Sequence, residues 1–324
     1  MKAWRCAAAG GLADLALAQL PPLAAGDGEV LVRVAAAALN FSDLLMLRGA
    51  YQVRPPLPFV PGQEIAGIVE KDSTLFRRGD RVAAKVLWGG FADQAIARED
   101  MLIQLPRDVP FDEGASLPVI WPTAWIALHE RARIRAGETV LVHAGAGGVG
   151  AAAVQLARAA VARVFATAGG TDKLALCRAL GAEEAFDYRA GPWLEALLAR
   201  TGGRGVDIVF DPVGGETTDL SIKALARNGR LLIVGFAGGA IPAIKANRLL
   251  LKNASALGVY WSHDTDAALV GRALDDVLSL RAAGKIRLLV GQRYPFADLP
   301  RALADLEARR STGKSILMME PGVA

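Results

Sequence analysis

At 324 residues the chain is too long for one ordinary hydrophobic core and comfortable as two domains. Hydrophobic residues make up 52% and charged residues 22%, which excludes an intrinsically disordered chain. The net charge is only +4, with no basic run to track a phosphate backbone, so nucleic-acid binding is not expected as the main role. No uninterrupted apolar run reaches the ~18 residues that span a bilayer, and no membrane association is expected.

Residues 1–26 carry Lys2 and Arg5 ahead of many Ala and Leu, a superficial likeness to a secretory signal. Asp14 interrupts that stretch, and the Gly10-Gly11 pair reads better as a turn between two short strands. Strands are predicted over 30–34, 65–70, 81–86 and 91–96, each bounded by Gly, Pro or Asp. From about Leu117 the rhythm changes. A helix over 121–133 precedes an apolar strand over 139–143, a glycine-rich turn and an Ala-rich helix over 151–159. Strand 163–167, helix 173–180, strand 206–210, helix 217–226 and strand 230–234 continue the alternation. Near-continuous apolar strands alternating with helices predict a parallel sheet covered on both faces. The tail reads as helices over 267–283 and 299–309 and a strand over 314–319, and is expected to return to the first domain. The expected division is 1–117 completed by 262–324, with 118–261 as the second domain. Cys6 and Cys177 have neither disulfide-framework nor zinc-finger spacing, which points to a reducing cytoplasm.

Gly145-Ala146-Gly147-Gly148-Val149-Gly150 matches G-x-G-x-x-G between a predicted strand and a predicted helix. In that context Gly145 is expected to allow the tight turn, Gly147 to admit a pyrophosphate against the backbone, and Gly150 to let the helix approach the sheet. The helix N-terminus then offers unpaired N–H groups to the phosphates. Proteins that bind NAD usually place Asp or Glu about 20 residues further on, at the ribose 2′-OH. Here that position reads Thr167-Ala168-Gly169-Gly170-Thr171, followed by Asp172 and Lys173. A 2′-phosphate meets no acid there and finds the Lys173 ammonium, which favours NADP. Asp172 and Lys173 also read simply as the opening of a helix.

The resemblance rests on these residues and on ordered matches elsewhere. They include Asn40-Phe41-Ser42-Asp43, Gly49-Ala50-Tyr51, Pro61-Gly62-Gln63-Glu64, Thr123-Ala124-Trp125, Asp187-Tyr188-Arg189, Asp211-Pro212-Val213-Gly214-Gly215, Gly235-Phe236-Ala237 and Ser311-Thr312-Gly313-Lys314. Along nearly its whole length the chain resembles the zinc-independent quinone oxidoreductase branch of the medium-chain dehydrogenase/reductase superfamily. The resemblance implies an α/β protein: a GroES-like, mostly-β catalytic domain and a Rossmann, doubly wound parallel-sheet domain, with the active site in the cleft between them. It also implies NADPH as donor and a homodimer. Carried over, Asn40 and Tyr51 are the catalytic candidates near the nicotinamide, which Thr123 also approaches. Gly147, Gly148 and Val149 hold the pyrophosphate beside Gly145, and Gly170, Lys173 and Tyr188 surround the 2′-phosphate. Val213, Phe236 and Ala237 line the cofactor, and Lys314 closes the site. Tyr51 and Tyr188 also read as half-buried packing residues, and Lys314 as a surface turn residue.

Zinc alcohol dehydrogenases of the wider superfamily carry a ligand Cys in the region of Asn40, Gly-His-Glu where this chain has Gly62-Gln63-Glu64, and a four-cysteine lobe that is missing here. His129, His143 and His263 are isolated in sequence, His143 reads as structural, and no metal is expected. Without a Lewis acid an unactivated ketone is a poor hydride acceptor, whereas a quinone or α,β-unsaturated carbonyl is already electron-poor. The reading is direct hydride transfer from nicotinamide C4, with Asn40 and Tyr51 orienting the acceptor and water supplying the proton. Trp88, Trp121, Tyr260 and Trp261 read as an aromatic wall on the pocket or, more simply, as core packing. Three functions follow: an NADPH:quinone reductase; an enone, alkenal or enoyl-thioester double-bond reductase; and an NADPH-binding structural or RNA-binding protein with little turnover.

Overall fold

The computed structural model describes residues 1–320 and divides into two compact units, Met1–Val119 with the chain from Leu288 onward, and Ile120–Arg287. Among the described residues the first unit is built on a seven-stranded sheet whose long central strand, Glu29–Ala38, pairs with Lys314–Met318, Glu64–Val69 and Gln94–Arg98. Arg81–Lys85 and Leu102–Gln104 extend it on one side and Val290–Pro295 on the other. Alternation explains the first half of the central strand: Val30, Val32 and Val34 point into the core while Glu29 and Arg33 face solvent. Register shifts between Val34 and Ala36, and from Ala36 to Ala38 every residue is buried. Lys2–Cys6 and Leu15–Gln19 form a separate antiparallel pair flanking the Gly10-Gly11 turn, pinned to this unit by the Trp4 Nε1–H bond to Phe296 O at 2.9 Å.

The strand expected over 91–96 begins later, at Gln94. Phe91 and Ala92 are buried in the preceding turn, where Phe91 packs against Gly62. The helix Phe41–Leu47 was not anticipated. It is one short run on which Leu44, Met46 and Leu47 are buried, opened by Asp43 accepting the Asn40 N–H at 2.7 Å.

The second unit is an all-parallel six-stranded sheet. Its order is Glu184–Asp187, Arg163–Ala168, Thr139–Val142, Val206–Asp211, Leu225–Ile233, Ser255–Gly258. Strand order therefore reverses between Thr139–Val142 and Val206–Asp211, the switch point at which open α/β sheets bind ligands beyond their carboxyl ends. The Ala-rich helix Gly148–Ala159 is buried from Gly150 to Ala157, so small side chains are what allow it to lie close against the sheet. The segment expected as one helix over 121–133 is an α-helix, Ile120–Trp125, that widens into a π-helix, Ile126–Arg131.

The division differs from the expected one in the tail. Helix His263–Ala282 belongs to the second unit, not the first. Its buried face, Val270, Ala273, Leu274 and Val277, has helical spacing, and Asp276 accepts the Trp125 indole N–H at 3.1 Å. Gln155 fixes the end of the unit by bonding both the N–H and the C=O of Arg287. The boundary falls between this helix and strand Val290–Pro295, a strand the sequence pattern does not announce.

Candidate active site

The chain leaves strand Thr139–Val142 through a turn that falls on Ala144 (φ 50°), not on Gly145 as the fingerprint suggested. A non-glycine residue there costs about 1–2 kcal/mol, so the surrounding packing must hold it. Gly145 serves that packing: a Cβ would come 2.8 Å from Ala166 Cβ and 3.1 Å from Cys177 Sγ. At Gly150 a Cβ would overlap the Ala144 carbonyl, so helix and turn are in backbone contact. Gly147 sits at the N-cap of helix Gly148–Ala159, and no side chain caps that first turn. The N–H groups of Gly148 and Val149 thus open a helix end suited to an anion.

The adjacent strand, Arg163–Ala168, ends at Gly169-Gly170, from which helix Thr171–Ala179 starts. Its outer neighbour, Glu184–Asp187, delivers Tyr188 and Arg189 to the same place. Asp187 is the acid at that strand end, and its carboxylate is taken up by the N–H groups of Gly170 (3.0 Å) and Arg189 (2.8 Å). A Cβ at Gly169 would lie 2.7 Å from Arg189 Nε and 2.9 Å from Tyr188 Oη, so both side chains fold over that glycine. The Arg189 guanidinium stands 5.7 Å from the Tyr188 ring. Lys173 lies in the first turn of the following helix, half-buried, and Asp172 beside it is exposed. Arg189 was missed as a site residue. Its signal was a second cation directly after Tyr188.

Beyond strand Val206–Asp211, Asp211 organises the third part. It accepts the N–H groups of Val213 (2.9 Å) and Gly214 (3.0 Å) and the Thr218 hydroxyl (2.6 Å). Ala237 N–H donates to Pro212 O and Gly238 N–H to Val213 O, which brings Val213, Phe236 and Ala237 together. On helix Ile120–Trp125, Thr123 Oγ1 accepts the Trp261 indole N–H at 2.9 Å. Trp121 and Trp261 are buried packing residues, whereas Trp88 and Tyr260 are exposed. His143 is a structural group. Ser221 Oγ donates to Thr217 O, so it accepts from His143 Nε2–H at 2.8 Å, and Nδ1 accepts from Thr167 Oγ1 at 2.8 Å. Burial pushes its pKa down to about 4 against the opposing charge of Asp211, and the ring is neutral. A cavity of about 420 Å³ elsewhere in this unit, lined by Trp125, His129, Asp276 and Lys285, lies at the far end of helix Gly148–Ala159 and holds none of these groups.

In the first unit, Asn40 opens helix Phe41–Leu47 beside strand Glu64–Val69, and Lys314 begins strand Lys314–Met318. Lys314 Nζ donates to Asn40 Oδ1 (2.5 Å) and pairs with Glu64 Oε2 (2.5 Å), while Asn40 Nδ2 donates to the same Glu64 oxygen (2.8 Å). Glu64 Oε1 accepts the Val119 N–H at 2.6 Å. Lys314 is 3% exposed and Glu64 0%, so the ammonium is committed inward and Lys314 is not a surface turn residue. Burial raises the Asp43 carboxyl to about 7, opposed by the Asn40 N–H and the Lys314 charge and helped by Glu64. Tyr51 packs half-buried on the same unit's core. Glu64 and Asp43 were not foreseen as site groups, although both stand inside the quoted motifs.

The positions that resemble zinc ligands carry amides instead. Ser42 Oγ bonds Gln63 Oε1, and Asn40 is bound between an ammonium and a carboxylate. A fixed ammonium and two amides do not fit a zinc ion, and the described residues contain no group of three or more His, Cys, Asp or Glu that could hold one. Cys6 and Cys177 are both buried and free, Cys177 with its pKa pushed up to about 12 by burial.

Residues 26–107 match the alcohol dehydrogenase GroES-like domain family, and residues 148–275 match the zinc-binding dehydrogenase family. The quinone oxidoreductase-like protein 2 of Rattus norvegicus is 36% identical over 312 residues, covering 94% of this chain and 89% of its own. The quinone oxidoreductase of Thermus thermophilus, solved alone and with NADPH, is 40% identical with a TM-score of 0.84 over 98% of this chain and 100% of its own. That of Escherichia coli, solved with NADPH, is 30% identical with a TM-score of 0.91 over the same shares. With a GroES-like unit, a Rossmann-like parallel sheet and these relatives, the chain belongs to the quinone oxidoreductase-like oxidoreductases of the medium-chain dehydrogenase/reductase superfamily.

Proposed function

We propose that this protein is an NADPH-dependent oxidoreductase that reduces a quinone or a closely similar conjugated carbonyl. The observation that carries the cofactor choice is the edge of the second unit at Gly169: Asp187 is consumed by backbone N–H groups, Tyr188 and Arg189 fold over the glycine, and Lys173 stands in the first turn of the helix that follows. That is a place for a 2′-phosphate and not for a ribose hydroxyl seeking a carboxylate. Asp172 sits in a helix first turn, where its charge is favourable. Gly147, Gly148 and Val149 would hold the pyrophosphate, Gly145 and Gly150 would keep the turn close, and Gly170 would frame the 2′-phosphate pocket. Val213, Phe236 and Ala237 would line the nicotinamide half, with Thr123 nearby.

The bound nicotinamide would supply hydride. The chain's own task is to hold the acceptor and accommodate charge on its oxygen. Asn40 would do so through an amide N–H, with Tyr51 as the second positioning group. Hydrogen bonds of this strength suit an acceptor that already delocalises charge, which favours a quinone over a simple ketone. A homodimer is part of the reading. Strand Ser255–Gly258 is an outer edge of the parallel sheet, and Ile241, Leu250, Leu251 and Tyr260 are exposed on neighbouring segments.

The test follows NADPH absorbance with a 1,4-quinone, beside NADH and beside an alkenal and an acyl thioester. Quinone turnover favouring NADPH by about tenfold or more supports the reading. Turnover with the alkenal or thioester alone transfers it to double-bond reduction, and NADPH binding with no acceptor reduced overturns it.

A further inference from the structure

Asn40, Glu64 and Lys314 form a closed triangle inside the first unit, each in contact with the other two. The Asn40 carbonyl faces an ammonium and one of its N–H groups faces a carboxylate. Turning the amide over would set N–H against ammonium and oxygen against carboxylate, replacing two charge-assisted bonds with two repulsions. One amide orientation is therefore enforced. The carboxylate itself cannot swing away, because its other oxygen holds the Val119 N–H at 2.6 Å.

This arrangement uses Oδ1 and one hydrogen of Nδ2, and leaves a single N–H. Asn40 retains 8% exposure, whereas its two partners are essentially inaccessible. A cation on the amide oxygen withdraws density from the group and strengthens the remaining N–H as a donor. Neither Glu64 nor Lys314 needs to touch a ligand for this to matter.

We propose that Glu64 and Lys314 are positioning residues that lock the Asn40 amide in one orientation, so that its remaining N–H is presented to the carbonyl oxygen of the acceptor. The proposal rests on the acceptor-binding role given to Asn40 above. It also gives Lys314 a different task from the contact with cofactor that the resemblance implied.

Lys314→Met alone strands a buried carboxylate and endangers folding, so the decisive variant is Lys314→Met with Glu64→Gln, which removes both charges together. In it the carbonyl oxygen of the introduced glutamine keeps the Val119 N–H, its own amide N–H points at Asn40, and Asn40 turns its oxygen inward. The double variant should melt in one transition, lose kcat by roughly tenfold to a hundredfold, and keep its KM for NADPH within about threefold. The Asn40 side-chain amide resonances, assigned by their loss in Asn40→Ser, should move between wild type and double variant. Unchanged kcat in the folded double variant overturns the proposal, as does a rise in the KM for NADPH with kcat retained. If wild-type protein reduces no acceptor, the proposed function fails, and the amide resonances still judge the lock: unmoved resonances overturn it.

Discussion

Lys314 and Glu64 bury charge in the first unit, whereas His143, Thr167 and Ser221 in the second bury a neutral ring between hydroxyls. The second network is self-satisfying: every proton has an acceptor, the tautomer is fixed, and the strand ends it joins are held in register. The first is costly. Taking an ammonium and a carboxylate out of water gains little over apolar side chains of the same volume. Its presence is better explained by the amide it orients than by stability. In the proposed function the two units would also meet a ligand differently. The second would offer backbone N–H groups, which need only small residues around them, and the first would offer one side-chain donor, which needs partners to aim it.

The largest expected break falls on the backbone side. Gly147→Asp places a carboxylate where an anion is to bind, so NADPH affinity should fall below detection, roughly a thousandfold or more. Gly147 has φ −83° and caps a helix, a position Asp favours, so the melting temperature should hold or rise. Calorimetric titration beside a melting curve checks both, and retained affinity would remove the pyrophosphate assignment. On the ionic side, Lys314→Met leaves Glu64 buried without its cation. Urea denaturation should then show a loss of about 3–5 kcal/mol. A loss below about 1 kcal/mol would mean that water or protonation compensates Glu64 easily.

The same contrast governs what was legible. The Rossmann half was readable because its signal is local: apolar strands, a glycine turn and an Ala-rich helix follow one another in sequence. Even there the left-handed turn moved from Gly145 to Ala144, because Gly145 is required by its packing on Ala166 and Cys177. The triangle of the first unit was not readable. Asn40 and Lys314 stand 274 positions apart; the resemblance put each at the site separately, and only the folded sheet brings them into contact. Glu64 stands inside the Pro61-Gly62-Gln63-Glu64 match, where nothing in the sequence ties it to Asn40 or Lys314. Helix His263–Ala282 was assigned to the wrong unit for a similar reason, since its partners Trp125 and the helix Ile120–Trp125 lie far upstream.

Proton linkage sharpens the comparison further, because the two networks tilt stability in opposite directions. Asp43 is raised from 3.8 to about 7, so the folded state holds its proton more tightly and this group's stabilising contribution is lost as pH rises from about 4 to about 7. His143 is lowered from 6.5 to about 4, so its contribution is present above about 6.5 and lost as pH falls toward 4. Each slope is at most about 1.4 kcal/mol per pH unit, and between pH 4 and 6.5 they offset one another. Asp43→Asn should therefore make the protein lose stability more steeply on acidification, and His143→Asn should make it lose less. Urea midpoints taken at half-unit pH steps read the result. An Asp43→Asn profile parallel to wild type would show that Asp43 does not titrate in this window.

The smallest effect belongs to the exposed edge at Gly169. Arg189 is solvent-exposed and lies against Tyr188, so its bond to a 2′-phosphate would be charge-assisted but screened. Arg189→Ala should raise the KM for NADPH about tenfold and leave that for NADH unchanged, because only NADPH carries the phosphate. Salt distinguishes this contact from the buried triangle. Raising ionic strength should raise the KM for NADPH in wild type and hardly at all in Arg189→Ala, while kcat, which depends on charges sealed from solvent around Asn40, should stay flat in both. A KM for NADPH that is insensitive to both the substitution and salt would take the 2′-phosphate away from Arg189. It would then fall to Lys173 and the N–H groups at Gly170 to select the cofactor.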